Sequence, residues 1–244
     1  MILLRFYEKK LPLISVIIPA YNEEKYIAEC LNSLKNQQFK DFEIIVVDNN
    51  SKDSTPQIAK KYTKNVFLCK KQGISSARNY GAIKAKGKIL CFIDADGIVS
   101  SNYLLQINNT FTYDNSLAAL SGVNVFSTRN PLKFILYNIY NVIVFSALFI
   151  GNYIGKYYVA GNNMSIKREV FERAGCFPLV VSEDIWLSKN LRKFKPLKVR
   201  FSPFITISYS ARRFEKNGFL KTLFSWIKAT TKEVPEKTYK EKYN

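Results

Sequence analysis

Two carboxylates stand one residue apart at Asp94 and Asp96, directly after the apolar segment from Ile89 to Ile93. Carboxylate oxygens are hard ligands, and Mg²⁺ or Mn²⁺ is usually held by one or two of them together with phosphate oxygens of a substrate. The spacing therefore indicates a site for a divalent metal ion and a diphosphate. A simple turn at the end of a strand uses the same residue types, so the local sequence leaves that alternative open.

Two further side chains are candidates for the same nucleotide site. Asp48 also ends an apolar segment, where its carboxylate can accept hydrogen bonds from a base or a ribose, and Arg78 would add a cation. Taken alone, Asp48 is equally typical of a solvated turn and Arg78 of a protein surface. Neither a G-x-G-x-x-G after a strand nor a G-x-x-x-x-G-K-[ST] is present, which excludes the two common glycine-rich phosphate loops.

The amino-acid composition excludes several kinds of active site. The chain has 244 residues, of which 47% are hydrophobic and 23% charged, as is typical of a globular protein. It contains no histidine, which excludes Ser-His-Asp triads and histidine-bound zinc, and its four cysteines form no C-x-x-C pair. The formal charge of +18 predicts a surface that attracts phosphates, anionic lipid or nucleic acid, so charge alone leaves a nucleic-acid-binding module as a candidate.

The periodicity predicts the elements that position these groups. Over residues 14–93, short apolar segments alternate with segments of helical spacing, which indicates βαβ units and a parallel sheet. Ligands of such sheets bind beyond the carboxyl ends of the strands, so we expect Glu23, Asp48 and Asp94 at one edge. The later predicted elements are a helix at 103–111, strands at 117–126 and 163–167, helices from Arg168 and Glu183, and two short strands around Val199 and Ile205.

Four motifs along the chain resemble those of the family 2 glycosyltransferases, which have the GT-A fold. In order they are Ser15 to Glu24 (SVIIPAYNEE), Val46 to Ser54 (VVDNNSKDS), Ala77-Arg78-Asn79 and Asp94-Ala95-Asp96. The likeness spans nearly residues 13 to 215 and continues in Gly161 to Ile166 (GNNMSI), in Phe171 to Phe177 and in Glu183-Asp184. Because the motifs occur in the family's order, the chain is identified as a member of that family.

The resemblance implies an α/β fold of the GT-A type, with a Rossmann-like, mostly parallel sheet, flanking helices and a C-terminal acceptor-side region. It implies a single domain over residues 1–215, in which 13–100 bind the nucleotide sugar and 157–215 form the acceptor-side half. An apolar, interfacial segment at 132–156 and an amphipathic helix with a polar tail at 216–244 complete the expected organisation.

The resemblance also implies an inverting, metal-dependent transferase that moves one sugar from a UDP- or GDP-linked donor to a hydroxyl acceptor. Asp184 would be the catalytic base, and Asp96 with Asp94 would bind Mg²⁺ or Mn²⁺. The implied donor-site residues are Pro19, Tyr21, Glu23, Asp48, Arg78, Asp94 and Ala95. The implied acceptor-side residues are Gly161, Asn162, Asn163 and Glu183.

The chain departs from the family pattern at three positions. Asn49 stands where the family usually has aspartate, Asn50 where it usually has glycine, and Gly97 where a further aspartate often follows. These departures leave the nucleotide base and the sugar open. No Gln-x-x-Arg-Trp pattern follows Glu183-Asp184, which favours transfer of a single sugar over processive synthesis.

Two alternatives stay open on the sequence. Glu183 and Asp184 would also stabilise the N-terminus of a helix capped by Ser182, without any catalytic role. The second alternative is a polyprenyl-phosphate sugar synthase. The acceptor of such a synthase is already ionised, so Asp184 would be dispensable there.

An uncharged segment at residues 134–155 has the length of about 17 to 25 residues that crosses a bilayer. A single crossing would place Asp96 and Asp184 on opposite sides, so a shared site requires that the segment lies along the interface, dips partway into the bilayer or packs on the protein. Its aromatic residues and the flanking Lys133 and Lys156 favour the interface. With the basic surface, this segment predicts peripheral attachment to an anionic membrane and a glycan or lipid-linked acceptor. The charged residues soon after Leu4 leave no room for a signal peptide, which favours the cytoplasmic face, and nucleic acid is not expected as a partner.

Overall fold

A computed structural model describes residues 12–153, 158–194, 198–222, 224 and 228. In this part of the chain, eight strands form one sheet with helices on both of its faces. The strands are β1 (Ile14–Ala20), β2 (Phe42–Asp48), β3 (Val66–Leu68), β4 (Ile89–Ile93), β5 (Ile98–Val99), β6 (Leu117–Ser127), β7 (Asn163–Lys167) and β8 (Lys198–Ser210). The helices are α1 (Ile27–Lys35), α2 (Thr55–Lys60), α3 (Ile74–Lys84), α4 (Tyr103–Tyr113), α5 (Pro131–Tyr153), α6 (Arg168–Arg173), α7 (Glu183–Leu191) and α8 (Arg212–Asn217).

The sheet is mixed, with the strand order β3-β2-β1-β4-β7-β6-β8-β5. Strands β3, β2, β1 and β4 run parallel, as predicted, and β6 is parallel to β8. Strand β7 runs antiparallel to both of its neighbours. The register places Ala20 beside Asp48, and β4 ends directly before Asp94, so the acidic residues of the first half meet at one edge of the sheet.

Both faces of the sheet are buried, which is why its first strands read as continuous apolar segments. In β1, Val16 and Ile18 belong to one core together with residues of α1, α2 and α4. Ile17 belongs to a second core together with residues of α3, α6 and α7. Helices on both faces therefore hold the strand ends, and with them the edge that carries the acidic residues.

Strand β8 differs from the sequence prediction. Two short strands were expected around Val199 and Ile205, but Lys198–Ser210 is one strand that pairs in parallel with β6. The expectation of two strands is wrong, because the chain stays extended throughout and is irregular only in its pairing with β6. Gly122 is opposite Ser202 and Val123 is opposite Thr206, so the intervening residues, including Pro203, form a bulge that needs no N–H from proline.

Helix α5 is tied to β6 by asparagines. The Asn138 amide donates to the carbonyl of Phe126 at 2.9 Å and its oxygen accepts from the Phe126 N–H at 3.0 Å. Asn141 donates to the carbonyl of Asn124 at 2.9 Å, and Tyr137 and Phe145 are buried on the helix. The asparagines that interrupt the apolar sequence thus hold α5 against the part of β6 that follows its pairing with β7.

The exposed side of α5 is apolar, and its large exposed residues are Leu132, Phe134, Ile135, Leu136, Ile139, Val142, Ile143, Phe149 and Ile150. Among the described residues, Pro131–Gly151 is the one helical stretch long and apolar enough to cross a membrane, and 12% of it is buried. The strands on either side of α5, β6 and β7, pair within the sheet. The helix therefore does not separate the two halves of the molecule. The amphipathic helix predicted near 219–228 and the tail that follows lie largely outside the described residues.

We predict that Gly122→Ala destabilises the protein by about 3 kcal/mol, because overpacking a tight interior is costly. A Cβ at this position would lie 1.9 Å from the carbonyl oxygen of Ile205, a backbone atom that cannot rotate away. Urea unfolding measures the change. Ser127→Ala, at the exposed end of the same strand, is the control and should stay within about 0.5 kcal/mol; equal stability of the two variants would contradict the strand pairing described above.

Candidate active site

A cavity of about 390 Å³ opens beyond the carboxyl ends of β1 and β4. The predicted donor-site residues that line it are Pro19, Tyr21, Glu23, Asp94 and Ala95. The predicted metal ligand Asp96 and Asn162 of the predicted acceptor side line it as well. The remaining lining residues are Ala20, Asn49, Ile74, Ala77, Phe126, Tyr209, Ser210, Arg212, Arg213 and Phe214. The cavity therefore lies where the topology of a parallel sheet predicts a ligand site.

A buried arginine joins the two acidic motifs. The side chain of Arg78 is only 2% exposed, and its guanidinium donates to Asp94 Oδ1 at 2.7 Å and to Glu183 Oε1. Burial alone would lower the pKa of Arg78, but Asp94 and Glu183 more than offset this, so the pKa is raised and the group stays charged. Arg78 lies behind the cavity wall, where it ties the end of β4 to the start of α7.

Asp184 is held next to this arginine by fixed donors. Its Oδ2 accepts hydrogen bonds from the Tyr158 hydroxyl at 3.0 Å and from the Gly161 N–H at 3.1 Å. A Cβ at position 161 would lie 2.7 Å from Arg78 Nη1 and 3.2 Å from Asp184 Cβ, so only glycine allows this close approach. Asn162 follows directly and lines the cavity, whereas Gly161, Glu183 and Asp184 are not among its lining residues, so their acceptor-side and catalytic roles stay predictions.

Glu183 is buried beside these groups. Burial raises its pKa to about 7; Arg78 acts in the opposite direction, and the charge of Asp184 adds to the rise. The expected cap by Ser182 is wrong, because Ser182 makes no side-chain capping hydrogen bond and has a left-handed backbone with φ of 59°. Glu183 and Asp184 do lie in the first turn of α7, where Asp184 Oδ1 accepts from the Ile185 N–H at 2.9 Å, so the alternative that they stabilise this helix end stays open.

Gly97 makes room for a tyrosine. A Cβ at this position would lie 2.8 Å from Cε1 of Tyr209 and 2.9 Å from Cγ2 of Ile93. The Tyr209 hydroxyl donates to the carbonyl of Asn162, and both residues line the cavity. The departure from the family's aspartate therefore has a steric reason, since the ring links β8 to the loop that carries Gly161.

The asparagine at position 49, where the family usually has aspartate, also has a structural explanation. Its amide nitrogen donates to the carbonyls of Cys69 at 3.0 Å and Lys71 at 2.9 Å, and its oxygen accepts from the Gly73 N–H at 2.7 Å. An aspartate could not donate the first two bonds, so asparagine fixes the loop between β3 and α3. The neighbouring Asp48 is 5% exposed, accepts from the Ser51 N–H at 3.2 Å and does not line the cavity, so its contact with a base stays a prediction.

The side chain of Asn163 makes its hydrogen bonds inside the protein. It is 1% exposed, its oxygen accepts from the Tyr103 hydroxyl at 2.9 Å, and its amide donates to the carbonyl of Val123 at 3.2 Å. These bonds join β7 to α4 and β6. Its expected place on the acceptor side stays a prediction.

A second arginine in the pocket was not predicted from the sequence. Arg212 begins α8 and donates two hydrogen bonds to Glu23, at 2.7 and 2.6 Å, and its Nη2 lies 3.3 Å from Asp96 Oδ2. The guanidinium also lies over the ring of Tyr26, 4.4 Å from its centre. No pattern in the sequence singled out Arg212, since many other basic residues are close to it in sequence.

The donor set at this edge fits a hard divalent cation. Burial raises the pKa of Asp96 to about 7; Arg212 lowers it, and the charges of Asp94 and Glu23 add to the rise. A cation bound near these oxygens would relieve their repulsion. In the described part of the chain no three acidic or cysteine side chains form a complete metal cage, so further oxygen ligands would have to come from a diphosphate.

The family described as glycosyl transferase family 2 matches residues 15–175, and the chain belongs to that family. The putative glycosyltransferase EpsH of Bacillus subtilis (strain 168) is 38% identical over 104 residues, which cover 41% of this chain and 30% of EpsH. This chain thus spans well under two thirds of that curated relative.

Two solved structures share the fold. TarS 1-349 of S. aureus in complex with UDP-GlcNAc has a TM-score of 0.66 at 22% identity, over 82% of this chain and 59% of that chain. The mannosyltransferase PcManGT of Pyrobaculum calidifontis, in complex with GDP-Man and Mn²⁺, has a TM-score of 0.65 at 22% identity, over 96% and 68%. The predicted GT-A fold is confirmed.

We predict that Glu183→Gln removes a pH dependence of stability. Folding raises the pKa of Glu183, so the stability that its carboxyl contributes is full below about pH 4.5 and is lost as the pH rises to about 7. Glutamine still offers Arg78 an oxygen but has no charge to bury. The free energy of unfolding of the wild type relative to the variant should therefore fall across this range, as measured by urea unfolding.

The exposed substitution Glu169→Gln on α6 serves as the control, for which this difference should stay constant with pH. A constant difference for Glu183→Gln as well would contradict the assignment of a buried, proton-binding carboxyl at this position.

Proposed function

We propose that this chain is an inverting glycosyltransferase that uses a nucleotide-diphospho-sugar and a divalent metal ion. One observation carries the proposal. The guanidinium of Arg78 binds Asp94, which lines the cavity, and Glu183, the neighbour of Asp184, so one buried side chain joins two acidic motifs from distant parts of the sequence. It brings near one another the groups that a base and a leaving diphosphate require.

Asp184 is the proposed base. Its carboxylate takes the proton from the acceptor hydroxyl while the hydroxyl oxygen attacks the anomeric carbon from the face opposite the diphosphate, which inverts the configuration. The donors Tyr158 and Gly161 hold Oδ2, so the carboxylate keeps one orientation during the transfer. When bound by Asp96 and Asp94, Mg²⁺ or Mn²⁺ would neutralise negative charge on the leaving diphosphate.

A UDP- or GDP-linked donor is part of the proposal. The fold is shared with TarS bound to UDP-GlcNAc and with PcManGT bound to GDP-Man and Mn²⁺, which supports a nucleotide sugar and a divalent ion here. Pro19, Tyr21 and Glu23 would line the nucleotide side, with Asp48 close behind them at the end of β2. Gly161, Asn162 and Asn163 belong to the acceptor side in this proposal.

We predict that Asp184→Asn lowers the transfer rate at least about 100-fold, the usual contribution of a general base, and leaves donor binding intact. A panel of UDP- and GDP-sugars with Mn²⁺ or Mg²⁺ tests both points, through thermal melting shifts for binding and through sugar transfer or slow hydrolysis for activity. Glu169→Gln is the control and should keep wild-type rates.

The outcomes of this panel separate the candidates. Full transfer by Asp184→Asn would mean that the acceptor is already ionised, which is the behaviour of a polyprenyl-phosphate sugar synthase. The absence of any melting shift or hydrolysis with every nucleotide sugar would contradict the proposed function itself.

We also propose that the chain attaches peripherally to the cytoplasmic face of an anionic membrane through α5. The large exposed residues of this helix are apolar from Leu132 to Ile150, whereas its inner side is fixed to β6 by Asn138 and Asn141. The formal charge of +18 adds attraction, at about 1 kcal/mol for each basic residue near an anionic surface. An acceptor carried on a lipid would then reach the pocket from the same surface.

We predict that the double variant Ile139→Glu with Ile143→Glu abolishes sedimentation with vesicles that contain anionic lipid. Both side chains are exposed, at 55% and 65%, and lie one helical turn apart on the outer side of α5. The matched control is Leu68→Glu with Ile83→Glu, which changes the net charge equally at exposed apolar positions elsewhere and should still bind. Equal binding by both double variants, or none by the wild type, would contradict the attachment.

A further inference from the structure

The two arginines of the site are held very differently. The side chain of Arg78 is 2% exposed and is enclosed between Asp94 and Glu183. The side chain of Arg212 is 37% exposed, and it reaches into the pocket from the first residue of a short helix. Arg78 is therefore a fixed part of the wall, whereas Arg212 can be displaced by a ligand without rearrangement of the sheet.

Arg212 pairs with two of the acidic residues that line the cavity. It binds both oxygens of Glu23 and lies 3.3 Å from Asp96, the residue proposed above as the main metal ligand. A divalent ion that arrives alone must compete with the guanidinium for these oxygens and also meets a like charge inside a partly buried pocket. A metal ion that arrives with a diphosphate meets no such penalty, because the phosphate oxygens offer the guanidinium new acceptors.

We infer that Arg212 is the counter-cation of the free pocket and makes binding of the metal ion dependent on the nucleotide diphosphate. This inference rests on the metal-dependent function proposed above and adds a regulatory property to it. Coupling between two ligands is reciprocal, and it typically changes affinity about 5- to 150-fold. The ion and the nucleotide therefore strengthen each other's binding, and the ion alone binds weakly.

The test measures Mn²⁺ affinity of the whole chain from the electron paramagnetic resonance signal of free Mn²⁺, without nucleotide and with saturating UDP or GDP. For the wild type, the better nucleotide should strengthen Mn²⁺ binding at least about tenfold. For Arg212→Gln, Mn²⁺ alone should bind at least about fivefold more tightly than to the wild type, and the enhancement by nucleotide should largely disappear. A merely structural role for Arg212 would weaken Mn²⁺ binding or leave it unchanged.

Arg200→Gln is the matched control. Arg200 carries the same charge and also pairs with a carboxylate, that of Asp114 at 2.9 Å, but neither residue lines the cavity. It should keep both wild-type affinities, and an equal gain in Mn²⁺ binding by this control would overturn the inference as a general charge effect. Should Arg212→Gln fail to fold, Arg212→Met is measured instead, because it also removes the charge and keeps an unbranched side chain; an unchanged Mn²⁺ affinity in that variant would likewise overturn the inference.

The test also separates this inference from the proposed function. If the wild type takes up Mn²⁺ with nucleotide but Arg212→Gln gains no affinity for Mn²⁺ alone, only the counter-cation role fails. If the wild type takes up no Mn²⁺ even with UDP and GDP, the metal-dependent function and the inference fail together.

Discussion

The site depends on burying one guanidinium among carboxylates. Arg78 is almost inaccessible, so Asp94 and Glu183 hold it with little competition from water. Removing one partner of such a buried pair costs about 3–5 kcal/mol, because the remaining charges lose their compensation. Packing fixes the same group, since the ring of Phe177 lies 5.4 Å from its carbon and Gly161 approaches from another side. Both acidic motifs therefore contact a single buried side chain.

The protein combines a basic surface with an acidic pocket. The chain carries a formal charge of +18, yet three carboxylates line the cavity, those of Glu23, Asp94 and Asp96, against two arginines, Arg212 and Arg213. A positive surface field attracts anionic nucleotides and lipids from a distance, whereas carboxylates in a pocket favour a cation at short range.

Sequence reasoning succeeded where the signal is local. The strands Ile89–Ile93 and Asn163–Lys167 were predicted with their observed bounds, and the parallel topology brought Asp94 to the edge where a ligand is expected. The pair between Arg212 and Glu23 joins residues 189 positions apart, and no local pattern encodes it. Asn49 was visible in the sequence only as a departure, because its three hydrogen bonds exist only once the loop before α3 is folded.

The burial of two acids changes which groups of this protein titrate near neutral pH. Most proteins exchange protons near neutrality through imidazole rings, and this chain has none. Among the described residues, burial raises the pKa values of two acids to about 7: Asp96, which lines the cavity, and Glu183, which lies beside Arg78. Two carboxyl groups near the cavity are therefore expected to change charge in the pH range where an imidazole ring usually does.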